Sequence, residues 1–291
     1  MSSIDLAQRD REAAEDRQEA AANNLRGYFL IRGIFVQSPT AGADRSGTLA
    51  TFVTKRQHRA LLLYLMLLNV WPWLQREKDP LEAHVWMNLL HSRLTLGDSL
   101  VWSESTLSRT WKYLATVGLI EKKRGRKGRL KVRPRLEDAS GPYTTPAGGK
   151  AWNEVYFTLP ERFWSEEDFA RLNLPGLAVL LVLAKETNKK PEFRVTQEQI
   201  AEWYGISRST AAKGLGELRG LGILKERTER IPAKLSKVRT TTETYFSLSG
   251  DYSTASRKKA RNKAESKRRR VVTPVGSGAV PSFEDIGDSD G

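Results

Sequence analysis

The chain has 291 residues, 39% of them hydrophobic, with eight Trp, no Cys and a formal net charge of +14. That is enough material for two domains of ordinary size, and the missing Cys excludes disulfides and thiolate metal sites. The charge is focused: residues 122–133 hold eight basic residues and no acidic one, and residues 257–270 hold nine basic and one acidic, which points to a polyanion, nucleic acid ahead of an anionic membrane surface.

Residues 1–26 are Ala-, Glu- and Arg-rich and charged from the start. They read as a charged helix that forms loosely or with a partner, or as a disordered arm, with no secretory signal. Residues 28–37 (YFLIRGIFVQ) and 48–53 read as strands, with a flexible loop at 38–47. Residues 56–70 form an apolar helix too short to cross a bilayer, ended by Trp71, Pro72 and Trp73. A second helix is expected over 81–94, facing inward through Val85, Trp86, Leu89 and Leu90, followed by a turn at 95–100.

Residues 103–117 then form a helix with Leu107, Trp111 and Leu114 as core and Thr106, Arg109, Lys112 and Tyr113 as polar positions. Residues 120–132 (IEKKRGRKGRLKV) read as a basic hairpin, with Gly125 and Gly128 at its tip among Arg124, Arg126, Lys127 and Arg129. An arginine on a narrow hairpin can enter a minor groove, where negative potential is enhanced. The Gly- and Pro-rich stretch 136–151 reads as a linker between a first domain (27–135) and a second (152–252).

The second domain opens with a strand at 154–159, a helix or turn at 161–172 and a helix at 177–187. Thr196 and Gln199 have capping-box spacing, Gly205 suits a sharp turn, and Ser207 caps a further helix. Ala211, Ala212, Leu215 and Leu218 are its expected inward face. Strands at 221–230 and 240–248 flank a basic loop with Lys234, Lys237 and Arg239. Residues 253–291 read as a tail, basic and then acidic, that stays disordered until bound.

The two halves repeat. Residues 103–120 (SESTLSRTWKYLATVGLI) align without a gap on 207–224 (SRSTAAKGLGELRGLGIL), matching Ser103, Ser105, Thr106, Leu114 and Gly118 to Ser207, Ser209, Thr210, Leu218 and Gly222. The apolar stretches 60–69 and 178–188 also correspond. The first copy has Val101 in place of Gly205, and Glu104 in place of Arg208. Glu104 complements the helix dipole, although it could instead accept a bond from a cytosine amino group. Both copies, or mainly the second, would read a groove.

Helix, turn, helix and hairpin in this order resemble a winged-helix DNA-binding domain; a helical hairpin beside a β-hairpin in an unrelated α+β domain is the alternative. Residues 60–69, 103–120 and 196–224 resemble the paired winged domains of plasmid replication initiators. LEDASGPYTTPAGG, YFTLPERFW and WYGIS also look like actinobacterial tandem winged-helix proteins, and winged helices resemble those of bacterial transcription regulators. The resemblance covers roughly residues 50–250. It implies a mainly α fold with small β-hairpin wings (α+β), in two tandem winged-helix domains.

No phosphate-binding glycine loop and no Ser/His/Asp arrangement stands out, so no enzyme and no cofactor are expected. His84 and His91 beside Glu82 suit cap, surface or core roles better than a metal site. Trp111 is better explained by packing than by stacking on a base. The expected site is Ser105, Thr106, Arg109, Lys112, Arg124, Arg126, Lys127 and Arg129 in the first half. In the second it is Ser207, Arg208, Ser209, Thr210, Lys213, Lys234, Lys237 and Arg239. The expected partner is double-stranded DNA and not a membrane, with homodimer or cooperative assembly on repeated sites left open, in the cytoplasm with the nucleoid. A transcription regulator leads. The alternatives are a replication initiator or partition protein of a plasmid or mobile element, and an adaptor using one winged domain for protein contacts.

Overall fold

The computed structural model describes residues 3–24, 26–39, 45–77, 79–94, 100–124, 129–149, 151–232 and 240–272. The fold is α+β, with small antiparallel sheets among many helices. After an opening helix α1 (Ser3–Asn23), one order of elements runs twice, the second time with one short extra strand. The first unit is β1 (Tyr28–Arg32), α2 (Gly33–Val36), α3 (Thr48–Thr54), α4 (His58–Leu74), α5 (Ala83–Leu89), α6 (Glu104–Thr116), β2 (Ile120–Arg124) and β3 (Leu130–Pro134). The second is β4 (Tyr156–Pro160), α7 (Arg162–Ser165), α8 (Asp168–Arg171), α9 (Leu174–Glu186), the short β5 (Phe193–Arg194), α10 (Gln197–Tyr204), α11 (Arg208–Gly220), β6 (Leu224–Pro232) and β7 (Thr240–Leu248). A final helix, α12 (Thr254–Val272), follows.

The units meet about a local two-fold. β1 (YFLIR) and β4 (YFTLP) pair antiparallel with Tyr28 opposite Pro160, Leu30 opposite Thr158 and Arg32 opposite Tyr156. Each position therefore faces the one its counterpart would face if the strands were exchanged. The flanking bonds obey the same exchange: the Gly33 N–H donates to the Val155 carbonyl at 2.9 Å and the Glu161 N–H to the Gly27 carbonyl at 3.1 Å. So do the helix ends. Ser92, after α5, donates to Glu167 at the start of α8. Gly205, after α10, sits so close to Ser46 and Ala50 at α3 that a Cβ there would collide; its φ of +62° also needs a glycine.

α4 and α9 are apolar around their whole circumference because each is buried on every side, and one hydrophobic cluster holds side chains of both units. Several expectations are corrected. Residues 48–53 are helical, since Leu49 and Phe52 bury at helical spacing and Phe52 packs on Phe35, which overrides their β propensity. The strand from Tyr28 ends at Arg32 and becomes α2. α4 runs through Pro72 to Leu74: so near the helix end the proline forfeits one bond, and Trp73 is held by burial and by its Nε1 bond to Glu77 at 2.9 Å. The 81–94 helix shortens to α5, because His91 and Ser92 turn to Asp10 and Glu167.

The termini also differ from expectation. α1 is docked on α4, α5 and α7, burying Ala13, Arg17 and Ala20; Arg17 donates to the His91 carbonyl at 2.7 Å and pairs with Glu167. Residues 254–272 are helical rather than disordered. Arg257 is buried and donates to the carbonyls of Tyr252 (2.8 Å), Ala184 (2.7 Å) and Thr187 (3.0 Å), closing the C-terminal end of α9. The stretch read as a linker is anchored as well. Glu137, fully buried, accepts from the Arg32 backbone N–H at 3.1 Å and from its Nη1 at 3.0 Å, while Arg32 Nη2 donates to the Thr144 carbonyl at 2.6 Å.

Candidate nucleic-acid interface

In the second unit the local chemistry of the sequence is realised atom by atom. Thr196 Oγ1 accepts from the Gln199 N–H at 3.1 Å, and Gln199 Oε1 accepts from the Thr196 N–H at 2.9 Å, which starts α10. Gly205 turns the chain, and Ser207 Oγ accepts from the Thr210 N–H at 3.1 Å to start α11. α11 buries Ala211, Gly214, Leu215 and Leu218 against α9; a Cβ on Gly214 would strike the Pro175 carbonyl, so glycine sets this close approach. Ala212, expected inside, is exposed. Ser207, Arg208, Ser209 and Lys213 are exposed and Thr210 is half-buried.

α6 repeats this cap. Ser103 Oγ accepts from the Thr106 N–H at 3.2 Å and lies 3.1 and 3.0 Å from the Ser105 and Thr106 hydroxyls. Ser207 stands 2.9 and 2.8 Å from the hydroxyls of Ser209 and Thr210. Leu107, Trp111 and Leu114 are buried, and Trp111 meets Trp86 edge-on at 5.2 Å, so its role is packing. Ser105, Arg109 and Lys112 are exposed and Thr106 is half-buried. Glu104 lies in the first turn of α6, where it complements the helix dipole.

The hairpins differ in charge. On β2 and β3, Lys122, Lys123, Arg124, Lys131 and Arg133 are exposed, and none has a carboxylate partner among the described residues. Lys123 stands directly opposite Lys131 in the ladder, a like-charge pair that weakens the hairpin unless an anion lies over it. The exceptions lie at the margins: Arg129 pairs with Glu82, and Glu121 with Arg135 at 3.3 Å. On β6 and β7 the charges cancel. Arg227 lies over the Tyr245 ring at 4.2 Å and pairs with Glu192 at 3.0 Å and Glu229 at 2.9 Å, while Arg194 pairs with Glu243. Those two arginines hold Glu229 and Glu243, which face each other across the ladder. Even α11 is neutralised at both ends, by Arg208 on Glu198 at 2.8 Å and by Arg219 on Glu226.

Arg126, Lys127, Lys234, Lys237 and Arg239 lie outside the described residues. Sequence reasoning left Lys122, Lys123, Lys131 and Arg133 out of the site, although the charge run contained them. On α12, Lys258, Lys259, Lys263 and Lys267 are exposed, while Arg257 and Arg261 anchor the opposite side, Arg261 donating to Asn188 Oδ1 at 3.0 Å. Burial, followed by repulsion from Arg261, pulls the Arg257 pKa down to about 10, so it remains a cation near neutrality. His84 faces Glu82 at 3.4 Å and His91 faces Asp10 at 2.8 Å, and no group of three or more potential ligands among the described residues could hold a metal ion.

Compared with known proteins, the chain matches no family model, no curated protein and no solved structure. Among the described residues no helix is long and apolar enough to cross a membrane.

Proposed function

We propose that this chain is a non-enzymatic double-stranded-DNA-binding protein built from two winged-helix units, acting as a transcription regulator. α6 and α11 would enter major grooves by their capped N-terminal ends, the part of such a helix that meets base edges. The observation that carries the reading is the repeated Ser-x-Ser-Thr cap, each on a helix leading into a hairpin, with five cations of the first hairpin lacking a carboxylate partner among the described residues. The β2–β3 hairpin would track phosphates or a minor groove, and the lysine face of α12 would add sequence-independent affinity. DNA binding of this kind would place the protein with the nucleoid.

The symmetric β1–β4 register favours inverted half-sites, because elements exchanged by a two-fold meet a duplex in opposite directions. Selection of bound sequences from a random duplex pool, followed by footprinting of the winner, tests this. A quasi-palindrome is expected. An array of direct repeats favours a replication initiator or partition protein, and absence of any preferred sequence favours an adaptor.

A further inference from the structure

The N-terminal end of α4, the outer side of α6 and Asn173 of the second unit line an open cleft of about 730 Å³. Arg56, Arg59 and Arg109 line it together with His58, Thr106 and Tyr113. None of the three arginines has a carboxylate partner among the described residues; Arg109 only returns Nε to the Ser105 carbonyl of its own helix, at 3.3 Å. His58 Nε2 and Tyr113 Oη are both buried and have no hydrogen-bond partner. The cap of α4, Gln57, supplies no side-chain acceptor to the first turn. Three like-charged side chains and an open helix start therefore surround one volume, while the two unpartnered atoms are out of reach of water.

The second unit shows what is missing. In the gap-free alignment of α6 with α11, Tyr113 corresponds to Glu217. Glu217 reaches the start of α9, where its Oε2 accepts from the Asn173 N–H at 2.9 Å and its carboxylate also bonds the Gly176 backbone. The second unit thus closes this place with its own carboxylate. The first unit has a tyrosine there and arginines around the space.

We propose that this cleft is a phosphate-binding site, with the phosphate held by Arg56, Arg59 and Arg109 and completed by Thr106. Guanidinium forks match the several acceptor oxygens of a phosphate, and a dianion balances three cations better than a single carboxylate does. The phosphate can belong to a small phosphorylated molecule or to a duplex backbone. Thr106 and Arg109 are common to the cleft and to the reading helix, so a small phosphate bound there competes with the duplex.

The test titrates the full chain with inorganic phosphate against chloride at matched ionic strength, and separately with a selected duplex. Saturable phosphate binding is expected, weakened at least about tenfold by Arg56→Ala with Arg59→Ala, since hydrogen bonds to charged groups are the stronger class. Tyr113→Glu grafts the carboxylate of the second unit into the first, and it should abolish phosphate binding while unfolding stays cooperative. If the double arginine variant also weakens the duplex complex, the phosphate is a backbone phosphate; if duplex affinity is unchanged while phosphate binding falls, the ligand is a small phosphorylated molecule. No saturable phosphate binding, together with unchanged duplex affinity in the double variant, overturns the site. Phosphate binding in a chain that binds no duplex would sink the DNA-binding reading and leave this one standing.

Discussion

The first and second units share one order of elements apart from the added β5 and are exchanged by the same local axis, yet their hairpins differ in how far charge is paired. In the second, Arg194, Arg208, Arg219 and Arg227 each face a glutamate, and Glu217 closes the start of α9. In the first, Arg109, Lys112 and five hairpin cations have no carboxylate partner among the described residues, and the matching helix start opens on arginines. The backbone of the unit therefore does not dictate its electrostatics. A cation without a partner draws a polyanion at long range and releases counterions on binding. A cation in an exposed ion pair contributes less to that term, but the pair is weak and can be exchanged for a directed contact. If the chain binds a duplex as proposed, the difference predicts a division of labour in which the first unit would supply affinity and the second selection.

The largest effect is expected from neutralising Lys122, Lys123, Arg124, Lys131 and Arg133 together. The slope of log affinity against log salt should fall by about 0.9 for each phosphate that these side chains no longer neutralise. An unchanged slope in salt titrations would erase the contrast between the hairpins. Next comes the seam the units share. Glu137→Ala leaves Arg32 charged and buried, and should cost about 3–5 kcal/mol in denaturant unfolding. If the transition splits in two rather than shifting as one, the units are less coupled than β1–β4 pairing implies.

Smaller effects should distinguish the two helices proposed to read DNA. Arg208→Ala should cost about 1–3 kcal/mol and relax base choice if the side chain leaves Glu198 for a base. A variant that binds the selected site and its base-substituted versions as the parent does would remove selection from the second unit. Glu161 takes the place that Gly33 has across the axis, so only the second unit carries a carboxyl there. Burial pushes its pKa up to about 7 from an ordinary 4.5, against the opposing bond from Asn24 Nδ2 at 3.0 Å. The folded chain thus holds this proton more tightly: the stability it contributes is complete below about pH 4.5 and is lost as pH rises through about 7. Glu161→Gln should flatten stability across that window, by about 3 kcal/mol at most. The smallest effect is Glu198→Gln, which frees Arg208 from an exposed pair and should strengthen duplex binding slightly.

Whatever acts over a few residues follows from the amino-acid order alone. Ser103, Thr196 and Ser207 cap their helices because the acceptor and the N–H it serves are three positions apart, and α4 and α9 announce themselves by apolar runs. The charge run at 122–133 likewise states a positive hairpin whatever surrounds it. Packing settled the rest. Residues 48–53 became helical through a ring contact with Phe35, and the basic tail became an anchored helix because Arg257 found carbonyls at the end of α9. Whether a given arginine is spent on a glutamate or left open depends on neighbours dozens of positions away, as Glu192 is from Arg227 or Arg56 from Arg109. Capping is a property of the local backbone. Neutralisation and the closing of a cleft are properties of distance in space, which only the packed chain sets.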